Sequence, residues 1–200
     1  TDRIDSSNIA MFGICYWDEL NQVMPPEDTY RELKLLARQY YQSTSMLIKA
    51  KINFGVLCDQ VMPGVQKIIH EYRGTQKITG IVKRYLHFDN ILKMSKNRFK
   101  TEYCRWAQKQ GYRNCEQTAE KLYVAAQNGI PVLPNSLSTT IVITEAIRVL
   151  HEMEASRNTI LTQMQALAKT LPEYQVVREI SCIGDTLAPR RIAEVGDIRK

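Results

Sequence analysis

Two stretches of this chain place apolar residues at steps of four and three, and they frame what lies between them. In the first, Leu33, Ala37, Tyr40, Thr44, Leu47, Lys51, Phe54, Cys58 and Val61 follow one another in this way. That spacing keeps one side of a helix apolar and predicts a helix of roughly 30 residues or more with a coiled-coil seam. Thr44 and Lys51 interrupt the seam, which loosens it or sets its register. Gly55 lies beside the seam and weakens the helix by about 1 kcal/mol relative to Ala, and Pro63-Gly64 ends it. The second seam runs through Ala146, Leu150, Met153, Arg157, Ile160, Met164, Leu167 and Leu171, with Ser138 or Thr139 as the expected cap and Leu171-Pro172 as the end. Two such helices, distant in sequence, can pack as an antiparallel hairpin or join copies of the chain, and the pattern is compatible with some of each.

Between the seams, residues 75–130 read as short helices: Lys77–Tyr85, Asn90–Met94, Ser95–Gln110 and Asn114–Asn128. Residues 130–136, with Pro131 and Pro134, read as a linker-like turn. Near the N-terminus, Asp5 or Ser6 can cap a short helix through Ile9, Phe12 and Tyr16. Pro26-Glu27-Asp28 then opens the next helix with residues that its positive end prefers. The C-terminal part, residues 176–197, has an apolar segment leading into Ile183-Gly184 and then an amphipathic segment with Leu187, Ile192 and Val195. This is the pattern of a helix-hairpin-helix. Gly184 can take φ > 0 in the turn, and Asp185 or Thr186 can cap the helix that follows. Amides at such a hairpin form a phosphate site, with Gly184, Arg190 and Arg191 as its candidate contacts; an ordinary αα-turn is the equal alternative. The expected fold is all-α: long antiparallel or coiled-coil helices, a cluster of short helices between them, and a C-terminal helix-hairpin-helix.

Composition agrees with this and narrows the function classes. The 200 residues contain only 9 Gly and 7 Pro, which favours long helices over many short strands. Five Cys and three His are scattered without a Cys-x-x-Cys, which argues against a zinc site and a disulfide framework and points to the cytosol. No apolar run approaches the roughly 18 residues of a membrane span, and no signal peptide is recognisable, so no membrane partner is expected. The net charge of +6 conceals an asymmetry: residues 31–115 hold 17 Lys and Arg against 5 Asp and Glu, a balance of +12, and the remainder carries −6. A basic excess confined to one region is the footprint of a polyanion partner, although a solvated helix surface has the same composition. Within 95–110, Phe99, Tyr103 and Trp106 share one helix face, while Arg98, Arg105 and Lys109 share another and Arg113 follows in the turn. The aromatic stripe reads as core, with stacking of Trp106 or Tyr112 on an unpaired base as the lesser alternative. The basic stripe reads as phosphate contacts.

The segment Cys182-Ile-Gly, six residues, then Arg191-Ile-Ala-Glu-Val-Gly-Asp-Ile-Arg199 resembles the Gly-Ile-Gly…Ala-Glu-Ile-Gly-Asp signature of the DEDD-type bacterial insertion-sequence transposases, the family named after insertion sequences 110, 116 and 902. Thr1-Asp-Arg-Ile-Asp5 resembles the Thr-Asp-x-x-Asp stretch that ends this family's N-terminal catalytic domain, and the family too places a long helical region between the two motifs. Cys182 stands where the family has its first Gly, and Pro189 falls within the first turns of the second helix.

The resemblance implies a DNA transposase or recombinase that cleaves and rejoins strands as a full-length protein in the bacterial cytoplasm, at the nucleoid. It also implies homo-oligomers acting on DNA and directed by a structured guide RNA. Asp2 and Asp5 would be the last two acidic ligands of a ribonuclease-H-like site holding Mg²⁺. By spacing alone, two carboxylates at i and i+3 of a helix lie on one face and can share a hard cation, but an isolated Asp-x-x-Asp is more often a capping or solvated pair. The family's other two acids fall upstream of Thr1 and its nucleophilic serine downstream of Lys200, so this chain alone is expected to be inactive. The expected domains are 1–24, the end of the catalytic domain; 25–171, the helical nucleic-acid-binding region; and 172–200, the start of the C-terminal transposase domain. Two alternatives stand beside this reading: a non-catalytic helix-hairpin-helix module for nucleic acid, and a coiled-coil assembly protein whose basic face is only solvated.

Overall fold

The computed structural model describes residues 2–16, 28–69, 75–113 and 115–196, the side chains of residues 2–4 excepted, and every regular element among them is helical. In chain order these are α1 (Asp2–Cys15), α2 (Asp28–Val61), α3 (Val65–Ile68), α4 (Gln76–Tyr85), α5 (Phe88–Leu92), α6 (Lys96–Lys109), α7 (Cys115–Asn128), α8 (Leu137–Ala168), α9 (Glu173–Glu179) and α10 (Leu187–Val195). The chain divides into two compact units. Thr1–Leu35 and Leu167–Lys200 form one, and Leu36–Ala166 forms the other.

The first seam is a single helix of 34 residues that runs through Gly55 without a break. Gly55 has a packing reason: a Cβ there would come within 3.3 Å of the Gln66 side-chain amide, which donates to the Gly55 carbonyl at 3.0 Å and to Asp59 at 3.1 Å. The two polar seam positions are accommodated differently. Thr44 returns its hydroxyl to the Tyr40 carbonyl at 2.7 Å, while Lys51 lies 3.5 Å from Glu154 of α8. The amides of Val132 and Leu133, just before α8, donate to the Gln60 carbonyl near the end of α2 at 2.8 and 3.2 Å. Rising positions on α8 therefore face falling positions on α2, and in the 36–166 unit the two run antiparallel. Leu47, Phe54, Cys58 and Val61 of α2 share one core with Ile143, Ile147 and Leu150 of α8 and with the short helices. The apolar positions of the α2 seam are all buried within the chain, so this seam is not available to a second copy.

Several boundaries differ from the sequence expectation. The cap of α8 is Ser136, whose hydroxyl accepts the Thr139 amide at 3.2 Å, rather than Ser138 or Thr139. That helix ends at Ala168, three residues before the expected stop at Leu171. α1 starts at Asp2, so Asp5 and Ser6 lie inside the helix rather than capping it. The expected helix start at Pro26-Glu27 lies outside the described residues. α3 was not legible as a helix because its four residues are too few to show a period. His87 caps α5: its Nδ1 accepts the Asp89 amide at 3.1 Å, so the proton sits on Nε2, 3.0 Å from the Leu133 carbonyl. This ties the short helices to the connection before α8.

Candidate nucleic-acid interface

α6 gathers most of the basic residues that the sequence singles out. Ser95 caps it, with its hydroxyl accepting the Arg98 amide at 3.4 Å. Phe99, Tyr103 and Ala107 are fully buried, and this turns Arg98, Arg105 and Lys109 outward. At 1.5 Å per residue, Arg98 and Lys109 are separated by roughly 16 Å along the helix. A shallow groove of about 470 Å³ lies along this side, lined by Asn97, Arg98, Thr101, Glu102 and Arg105. Arg113 extends the stripe in the bend after the helix, and it too is exposed.

The cations of this region divide into two sets. Lys96 pairs with Glu120 at 2.7 Å and Lys100 with Glu116 at 2.9 Å, which fastens α6 to α7; Arg84 of α4 pairs with Glu102 at 2.7 Å. Glu116 raises the Lys100 pKa through a hydrogen bond and its charge, and Lys96 lowers that of Glu120 in the same way. Among the described residues, Arg98, Arg105, Lys109 and Arg113 have no acidic partner within 4 Å. A phosphate can approach these four without displacing a carboxylate.

Beside the stripe, tertiary packing assembles an aromatic patch. The Trp106 indole packs against the backbone of α4 at Gly80, where a Cβ would come within 3.3 Å of the ring. Trp106 is flanked by Tyr103 at 5.8 Å and, edge-on, by Tyr112 at 5.7 Å between ring centroids. The Arg84 guanidinium stands 5.9 Å from the indole and the Lys77 ammonium 5.6 Å from the Tyr112 ring. Lys77 was missed by sequence reading, because no local signal joins residues 77 and 112.

The hairpin candidates belong to the other unit. α9 and α10 pack on each other, and the turn between them is closed by side chains. Arg178 donates to the Ile183 carbonyl at 2.6 Å and lies 2.9 Å from the Asp185 carboxylate, which also accepts the Tyr174 hydroxyl at 3.1 Å. Thr186, at the N-cap position of α10, makes no side-chain cap, and the Gly184 carbonyl accepts the Leu187 and Ala188 amides. The left-handed residue is Cys182, at φ 69°, and Gly184 is not in that region. Pro189 is buried in the first turn of α10, where its missing N–H costs little.

Arg190 is half-buried and Arg191 exposed; Arg191 also lines an apolar groove of about 260 Å³ with Val177, Ile180, Ile183, Ile192 and Val195. An anion approaching this hairpin would meet the exposed Asp185 carboxylate. A left-handed conformation costs a side-chain-bearing residue about 1–2 kcal/mol, so Cys182→Gly should stabilise the protein by about 0.5–1 kcal/mol after the entropy of glycine is counted. A urea midpoint that stays or falls would contradict this assignment of strain. Gly184→Val meets open space and should leave folding intact, contrary to a turn that depends on Gly184.

Asp5 lies on the exposed surface of α1, and the side chain of Asp2 lies outside the described residues. No cluster of three or more metal-ligating side chains occurs among the described residues. Two carboxylates cannot by themselves satisfy a cation that takes six oxygen ligands. Thiol chemistry is disfavoured at two positions. Burial pushes Cys58 up to about 12, and burial together with the neighbouring Cys115 thiol pushes Cys104 up to about 11. No helix among the described residues is long and apolar enough to cross a membrane.

No family model, curated protein or solved structure matches this chain.

Proposed function

We propose that this chain is the nucleic-acid-engaging helical region of a DEDD-type insertion-sequence transposase, which in its full length cleaves and rejoins DNA. The observation that carries the binding part is the outward stripe of Arg98, Arg105, Lys109 and Arg113, which among the described residues has no acidic partner, beside cations that have one. Such a stripe gives sequence-independent affinity for a phosphate backbone, because phosphate contacts position a protein without reading bases. The transposase part rests on the resemblance of Thr1–Asp5 and Cys182–Arg199 to that family's motifs. DNA and a structured RNA are the partners, and Mg²⁺ is the cofactor of the full-length protein, held in part by Asp2 and Asp5. In this proposal the exposed Ile9, Phe12 and Ile14 of α1 pack against the rest of the catalytic domain.

Homo-oligomers are part of the same proposal. With the α2 seam buried, self-association falls to the outer stripe of α2, where Tyr41, Ile48, Ile52 and Val56 are exposed; sedimentation as a monomer at high concentration would remove it. Asp2→Ala and Asp5→Ala in the full-length protein should each abolish strand transfer and leave nucleic-acid affinity unchanged. Transposition at wild-type frequency in both variants would refute the catalytic assignment, as would Mg²⁺-dependent cleavage by the purified 200-residue chain, free of contaminating nuclease.

A further inference from the structure

α6 and α7 are held side by side by pairs that run in opposite directions along the two helices. Lys96 meets Glu120 at 2.7 Å and Lys100 meets Glu116 at 2.9 Å, while the Phe99 and Tyr123 rings stand 5.9 Å apart. One turn beyond Lys100 on α6 is Cys104, and directly before Glu116 is Cys115, the first residue of α7. The antiparallel register therefore brings two thiols together at the end of the helix pair, and the Cys104 thiol is hydrogen-bonded to that of Cys115. Both side chains pack partly buried against the core, and neither is sealed from solvent. Of the other cysteines, Cys58 is buried, and Cys15 and Cys182 are exposed in the other unit.

We propose that Cys104 and Cys115 are a redox-sensitive dithiol, which a hydroperoxide converts to a disulfide that staples the end of α6 to the start of α7. Contact between the thiols is what the bond asks of the fold, since cysteines whose Cβ vectors point apart cannot be bridged without moving the backbone. Cys104 is a poor nucleophile in the reduced protein, because burial and the adjacent Cys115 thiol push it up to about 11. The Cys115 thiolate therefore attacks the peroxide first. An S–O bond forms, the O–O bond breaks, and the departing hydroxide takes up a proton as water, leaving a sulfenic acid on Cys115. The Cys104 sulfur then gives up its proton and attacks the Cys115 sulfur. The S–S bond forms, the S–O bond breaks, and a second water leaves. Two thiols and one peroxide thus become one disulfide and two waters, and a small-molecule thiol restores the pair by exchange. The closed loop carries Arg105, Lys109 and Arg113, but the bond forms whether or not these cations meet a phosphate.

The test uses the 200-residue chain with Cys15→Ser and Cys182→Ser, which removes the exposed thiols of the other unit and leaves three of the five Cys. Hydrogen peroxide in slight excess should lower the thiol count of the subsequently denatured protein from three to one, and dithiothreitol should restore it. Trypsin cleaves after Arg105 and Arg113, so the oxidised protein should yield residues 101–105 linked to residues 114–121. Its melting midpoint should rise by about 5–10 °C, the gain expected for a loop of this length in a chain of this size. Cys104→Ser should instead leave a sulfenic acid on Cys115 that dimedone captures, and Cys115→Ser should leave Cys104 unmodified at the same peroxide dose. A thiol count that stays at three, or a dimedone adduct on Cys115 without the linked peptide in the protein that keeps both thiols, overturns the dithiol. Equal yields of the linked peptide in native buffer and in concentrated urea overturn the role of the fold, as does a midpoint that falls on oxidation.

Discussion

Replacing Arg98, Arg105, Lys109 and Arg113 together by Gln flattens the dependence of log K on log salt by roughly three units on a duplex ligand. Each phosphate neutralised on duplex DNA releases condensed counterions and contributes about 0.9 to that slope, and four cations engaged nearly in full give this change. The loss is nearly the same for any duplex sequence, because these contacts carry no base information. The fold is not affected, since all four side chains are exposed and make no ion pair among the described residues. Neutralising Lys96 and Lys100 instead is the control. Their charges are already committed to Glu120 and Glu116, so a phosphate gains little there and the slope changes less. A salt titration of wild type and quadruple variant on one duplex and one structured RNA decides the matter. Equal slopes on both ligands would make the stripe a solvated face and move the coiled-coil assembly reading to the front.

Gly129→Ala is the single substitution expected to damage the fold most. Gly129 closes the C-terminal end of α7, and a Cβ there would lie 2.7 Å from the Ala125 carbonyl oxygen, 3.0 Å from the Phe88 ring and 3.1 Å from Pro63. A backbone oxygen cannot move aside as a side-chain tip can, and Phe88 is fully buried at the N-terminus of α5. The Gly129 amide also donates to the Ala125 carbonyl at 2.7 Å, so relief of the clash costs a hydrogen bond or displaces the core. Overpacking of this kind costs about 2–4 kcal/mol, which for a chain of this size lowers the melting midpoint by roughly 5–15 °C. Gly184→Ala, where nothing lies within 4 Å, should leave it nearly unchanged. Melting curves followed by circular dichroism that coincide for Gly129→Ala and wild type would show that the end of α7 is not packed as described.

The long helices were legible because their signal is repeated. Seam positions recur at helical spacing over many turns, and a single Gly55 or Lys51 cannot outweigh the sum. The basic stripe was legible for the same reason, since Arg98, Arg105 and Lys109 share one face of one helix. The hairpin was misread where a single residue had to be assigned a conformation. Gly184 is the residue most able to be left-handed, yet Cys182 is left-handed, because Arg178 and Tyr174 reach across from α9 and fix Ile183 and Asp185 in place. Propensity at one position is worth about a kilocalorie, and two side-chain bonds to a charged group exceed it.

The sequence by itself determined that the chain is helical, where its two long helices run, and which cations lie together on α6. All of these follow from spacing along one chain segment, which backbone geometry converts into a face. Only the tertiary structure decided what those faces meet. It buries the α2 seam in the chain's own core, gives Lys96, Lys100 and Arg84 to carboxylates on other helices, and brings Lys77 over Tyr112 from 35 residues away. Whether a cation is paired or open depends on which helices pack against its own, and that packing is set by the shape and burial of the whole core rather than by any local pattern.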